Sequence, residues 1–119
     1  LPDFELLTLK APQTLSGISD RFATWFDALA WLCDETDKID FDVAIIGAGA
    51  YGFPLAAHVK RSGRKAVHLG GATQIMFGIM GKRWEKDMTL RSFVNEHWTR
   101  PLPEETPTCA DRVEEACYW

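Results

Sequence analysis

Gly47, Gly49 and Gly52 stand in the spacing G-x-G-x-x-G, between the apolar run Phe41–Ile46 and a helical pattern that begins near Phe53. Each glycine has its own reason in such a turn. Gly47 lets the chain leave the strand tightly, Gly49 lets a ligand or a neighbouring element approach the backbone, and Gly52 lets the helix lie close to the strand. The amides of the loop, Tyr51 included, would gather at the positive end of the following helix, where phosphate or carboxylate is held. The same glycines also serve close helix–strand packing without any ligand. His68 falls at the end of a second strand pattern and is followed by Gly70-Gly71. An imidazole there can bond a phosphate or act as a general base near neutral pH; it can equally be a strand histidine bonded to backbone. Further on, Lys82-Arg83 offers a point charge and a bidentate fork for phosphate, or solvates a surface loop. The sequence assigns no catalytic residue beyond this reading of His68.

These residues need elements to bring them together. Phe4–Leu9, Phe41–Ile46 and Lys65–Leu69 read as strands, the second apolar but for Asp42 and of the kind buried in parallel sheets. Ser19 is placed to cap a helix running to about Asp37, with Phe22, Trp25, Phe26, Leu29, Leu32 and Cys33 along one stripe. A second helix is predicted over Phe53–Ser62, with Pro54 in its first turn and Gly63 as its left-handed cap. A third is predicted over Ala72–Ile79, and a fourth over Met88–Glu96 with Asp87 as cap. Alternation of strand and helix predicts an α/β fold: a three-layer Rossmann-like domain at residues 1–84 with a small, mainly parallel sheet. Residues 85–119 are expected to form a short helix and an extended C-terminal tail, rich in proline and ending in aromatics, that packs on the domain or on a partner. In a parallel sheet the strands share one C-terminal edge, so Gly47–Gly52, His68 and Gly70-Gly71 converge there. Lys82-Arg83 joins them only if Gly78–Gly81 turns the chain back.

Charge is unevenly spread over a chain whose net charge is -4. Residues 1–50 hold three bases against nine acids, residues 51–91 eight against two, and residues 92–119 two against six. The basic block starts at the glycine turn and suits a small anionic ligand; its bases can also simply solvate a helix face. An acidic chain argues against nucleic acid. No apolar run reaches the roughly 18 residues of a membrane span, and the acidic start is unlike a signal segment. The first methionine is Met76, which predicts a processed product or a fragment. Cys33 reads as a buried small hydrophobe. Cys109 and Cys117 have no zinc spacing, and a disulfide between them is the alternative. An odd cysteine count points to a reducing, cytoplasmic setting. His58 and His97 read as structural. Five tryptophans are many for one small core, and a short sheet leaves edges open, so self-association is expected.

The stretch Asp42–Gly71, DVAIIGAGAYGFPLAAHVKRSGRKAVHLGG, resembles the late strand–helix–strand part of bacterial proteins encoded with surface-polysaccharide genes. These are similar to the glycosyltransferase D-type fold family. Gly-Ala-Thr-Gln at 71–74 and Gly-Lys-Arg-Trp at 81–84 look like a subgroup of uncharacterised bacterial proteins with this ending. The resemblance covers residues 41–84. It implies a Rossmann-like half-domain binding the nucleotide part of a sugar donor, with a metal helping the diphosphate. The family's acidic metal and catalytic motif has no match here; Asp34-Glu35 and Asp37 lie in a helix pattern.

The leading expectation is thus a nucleotide-sugar-binding, glycosyltransferase-like domain. An NAD(P)-dependent oxidoreductase fragment is an alternative, but Val67-His68-Leu69-Gly70-Gly71 lacks the acid that would hold the ribose, and a strand–helix unit precedes the glycine turn. A non-catalytic interaction module is another. Gly47, Gly49, Tyr51, Gly52, His68, Gly70, Gly71, Lys82 and Arg83 are the candidate ligand-binding residues.

Overall fold

A computed structural model describes residues 3–14, 21–112 and 114–119. Its centre is a helix, a strand, a helix and a second strand: α1 Trp25–Asp37, β1 Val43–Ile46, α2 Gly52–Arg61 and β2 Lys65–His68. The strands pair in parallel, Val43 opposite Lys65 through Ile46 opposite His68. Leu69 adds one more bond, its N–H donating to the Ile46 carbonyl at 3.0 Å. The parallel pairing of the second and third predicted strands is therefore present.

The first predicted strand is not. Among the described residues no backbone hydrogen bond involves residues 4–9, and Phe4, Leu6 and Leu7 are exposed. Strand propensity needs a neighbour to receive the backbone groups, and this segment has none among the described residues. Leu9 and Ala11 rest against the core. The described sheet thus has two strands. Ala44, Ile46 and Ala66 face the core shared with α1 and α2. Val43, Ile45 and Val67 point to the opposite side and are 46%, 41% and 46% exposed. The result is a mixed helix and strand fold whose small parallel sheet leaves these three side chains open to solvent.

Helix α1 begins later than Ser19, which lies outside the described residues. Thr24 is the cap: its hydroxyl accepts from the Asp27 amide at 3.1 Å, and the Asp27 carboxylate accepts from the Thr24 amide at 2.9 Å. This reciprocal box satisfies two orphan donors. Ala28, Leu32 and Thr36 form the buried face, and Thr36 returns its hydroxyl to the Leu32 carbonyl. Phe22, Trp25, Leu29 and Cys33 lie beside that face, but Phe26 is 73% exposed and leaves the predicted stripe.

Helix α2 ends as predicted. Gly63 takes φ 84°, its amide meets the Lys60 carbonyl, and the Arg64 amide meets that of Val59, the paired closure of a left-handed glycine cap. Asp37, at the end of α1, ties the two helices. It accepts from His58 Nε2 at 2.9 Å and from the Arg64 guanidinium. His58, read as a structural residue without a partner, has this carboxylate. Both bonds, the His58 bond first, hold the Asp37 carboxyl below its ordinary value.

Beyond β2, α3 spans only Ala72–Met76. The predicted run to Ile79 is cut short because Gly78, at φ 67°, closes it: the Ile79 amide turns back to the Gln74 carbonyl. Helix α4, Met88–Arg91, is capped by the Asp87 side chain as predicted, but stops well before Glu96. A parallel bridge joins Ile79 to Thr99. No helix among the described residues is long and apolar enough to cross a membrane.

Candidate functional site

Because β1 and β2 are parallel, their C-terminal ends lie side by side, and each opens into a glycine turn. The first runs Gly47–Gly52 into α2, with a short 3-10 turn at Gly49–Tyr51. The second is Gly70-Gly71, leading into α3. The two turns touch: a Cβ on Gly47 would lie 2.5 Å from the Thr73 hydroxyl and 2.9 Å from the Gly70 carbonyl. Gly49 holds φ +49° with open space where a side chain would be. The amides of Ala48 and Gly49 donate to no group among the described residues, so the backbone offers donors beside the start of α2.

His68 lies against the same turn. A Cβ on Gly52 would sit 2.2 Å from its ring, so the glycine is what admits the imidazole. His68 Nδ1 is 3.3 Å from the Ile46 carbonyl. A carbonyl only accepts, so this bond puts the proton on Nδ1 and leaves Nε2 as the free nitrogen. That is the backbone-bonded strand histidine of one sequence reading, with the second nitrogen still able to meet a ligand. Thr73 and Gln74 were not singled out from sequence. The Thr73 hydroxyl and the Gln74 side-chain oxygen are buried and unpartnered among the described residues. Their position directly after Gly70-Gly71 was the available signal.

Tyr51 does not join this edge. It is 5% exposed, its ring stacks on Trp25 at 5.1 Å and 8°, and its hydroxyl bonds Thr14. It belongs to the core.

Lys82 and Arg83 reach the edge only through the C-terminal segment. Tyr118 lies on Gly71, where a Cβ would meet its ring at 2.7 Å, and its hydroxyl accepts from Arg83 Nη1 at 2.9 Å. Its carbonyl accepts from Gln74 Nε2 at 2.8 Å. Arg83 also pairs with Glu114, and its amide donates to the Cys117 carbonyl. The chain does turn back after Gly78, but what it brings to Gly71 is Tyr118, with Arg83 behind it. Lys82 is exposed and forms no ion pair among the described residues. The predicted convergence is therefore reached by Gly47, Gly49, Gly52, His68 and Gly70-Gly71, while Tyr51 turns into the core and the basic pair is held one layer out.

All three cysteines are free, with no Cys109–Cys117 bond. Burial, and then the charges of Asp37 and Asp34, push the Cys33 thiol up, which makes it a poor nucleophile. The metal implied by the resemblance finds no fit here: no group of three or more His, Cys, Asp or Glu among the described residues could hold an ion.

Compared with known protein families, with curated proteins and with solved structures, the chain matches none.

Proposed function

We propose that this chain is a Rossmann-like, glycosyltransferase-like domain that binds the nucleotide part of a nucleotide sugar at the C-terminal edge of β1 and β2. One observation carries the reading. Two parallel strands end in adjacent glycine turns, and the first turn presents the unbonded amides of Ala48 and Gly49 beside the start of α2. Ligands of open α/β sheets bind outside the carboxyl ends of the strands. The unpartnered Thr73 hydroxyl and His68 Nε2 would add a donor and an acceptor. Arg83 would reach a phosphate by exchanging Glu114 for it, which requires Tyr118 to leave Gly71. Catalysis is not part of this proposal.

A thermal-shift panel of UDP, a UDP-sugar, NAD and NADP tests it. A ligand at a hundred times its dissociation constant adds about 2.7 kcal/mol of apparent stability. Stabilisation by the uridine compounds alone is expected. Preference for NAD or NADP would move the reading to an oxidoreductase fragment, and no shift at all would leave an interaction module.

In the same reading the chain self-associates in a reducing, cytoplasmic setting. A parallel sheet is ordinarily covered on both faces, and Val43, Ile45 and Val67 are open here. The three free cysteines fit a reducing compartment. Light scattering that finds only monomer at high concentration would count against self-association.

A further inference from the structure

The basic block of the sequence is not spent at the glycine turns. Part of it lines an open cavity of about 780 Å³ between the segment 80–91 and the segment 94–100. That volume lies in the range of small-molecule sites. Its walls are pinned to each other: the Thr99 amide donates to the Gly78 carbonyl at 2.9 Å, and the Met80 amide to the Thr99 carbonyl at 2.8 Å. Buried Met80 and half-buried Trp98 supply an apolar wall.

Three cations border the cavity, and they are not equivalent. Arg100 is neutralised by Glu85, which also lines it. Lys86 and Arg91 form no ion pair and no side-chain hydrogen bond among the described residues. The cavity thus carries two positive side chains with no ion-pair partner among the described residues, in a chain of net charge -4. Asn95 also lines it. Its Oδ1 accepts from the His97 amide at 2.9 Å, which leaves the NH2 group as a donor without a partner among the described residues.

We propose that this cavity binds a small phosphate monoester of a planar ring. The dianion would sit between Lys86 and Arg91 with the Asn95 amide as a third contact, and the ring against Trp98. Two charges match a phosphate dianion, guanidinium gives it two parallel bonds, and an indole favours a flat apolar group. The proposal stands apart from the nucleotide reading, since it uses none of the same residues.

Calorimetric titration of the full chain at low salt, with phenyl phosphate, a nucleoside monophosphate, inorganic phosphate and phenol, tests it. Phenyl phosphate and the nucleoside monophosphate should bind. Inorganic phosphate should bind about tenfold more weakly or worse, and phenol not measurably. Lys86→Gln and Arg91→Gln, both at exposed positions, should each weaken phenyl phosphate about tenfold, the lower range for a hydrogen bond to a charged group. Binding should quench tryptophan emission in the parent and not in Trp98→Phe. The proposal fails if phenyl phosphate does not bind at millimolar concentration, if neither charge variant weakens it, or if Trp98→Phe is quenched as strongly as the parent.

Discussion

Gly71→Ala should destabilise this protein, and the same substitution should stabilise it once Tyr118 is alanine. Gly71 holds φ -61° and ψ -24°, a conformation alanine adopts freely. With no contact at the Cβ, the change would stabilise by about 0.4–1 kcal/mol, by restricting the unfolded chain. In the folded chain that Cβ lies 2.7 Å from Tyr118 Cε1, so the ring must move. It would leave its bond to Arg83, 2.9 Å long, and its contact with the turn. A hydrogen bond to a charged group is worth roughly 1.5–3 kcal/mol, taken at the low end because Arg83 is a third exposed. With the lost ring packing the cost is about 2 kcal/mol, which exceeds the backbone gain. The net change is a loss of about 1–1.5 kcal/mol in the parent and a gain of about 0.4–1 kcal/mol in the Tyr118→Ala background. Urea unfolding of the four proteins, compared by midpoint at constant slope, measures the coupling. If Gly71→Ala moves both backgrounds in the same direction by the same amount, Tyr118 does not rest on Gly71.

Three other outcomes follow from the geometry. Gly49→Ala, at φ +49° with nothing near its Cβ, should cost about 1–2 kcal/mol by circular-dichroism-monitored melting, a backbone penalty with no packing change. Leu32→Ala, at a side chain 1% exposed between α1 and the sheet, should cost about 2–5 kcal/mol in urea. The Asp37 carboxyl is held below its ordinary value of 3.8 by His58 and then Arg64. Its stabilising effect is therefore complete above that value and lost as pH falls through the lowered one. Asp37→Asn should flatten this acid limb in a pH series of melting temperatures, and an unchanged limb would refute the pairing.

What could be read from the sequence divides by the range of the interactions. The strand Val43–Ile46, the glycine turn, helix α2 and its Gly63 cap are set by residues within a few positions of one another, so composition and spacing reach them. The parallel pairing of β1 with β2 follows from a short helical crossover that admits few alternatives. The segment Phe4–Leu9 has the same local composition as a strand, yet no strand pairs with it among the described residues. Phe26 sits at a helical step from Phe22 but one position off the buried face, which Ala28, Leu32 and Thr36 define. At the site, the glycine turns and His68 were legible because a parallel sheet puts all strand ends on one edge. Tyr118 on Gly71 was not, because it joins residues 47 positions apart through a segment with no periodicity. Tyr51 lies inside the glycine motif and faces the core, which the spacing of the motif cannot distinguish.

The packing of α1, β1, α2 and β2 also bears on how the chain reaches this state. Val43 and Lys65 pair across 22 positions, and the intervening helix carries its own closure at Gly63. Each interface of this unit joins elements adjacent or next-but-one along the chain, so closing it costs little loop entropy. Sequence-local contact of this kind favours fast folding. A β-α-β unit that forms early would expose its apolar stripe Val43, Ile45 and Val67 from the first moment of its existence. That stripe stays open once the strands have paired, so refolding yield should fall with protein concentration even where the rate does not.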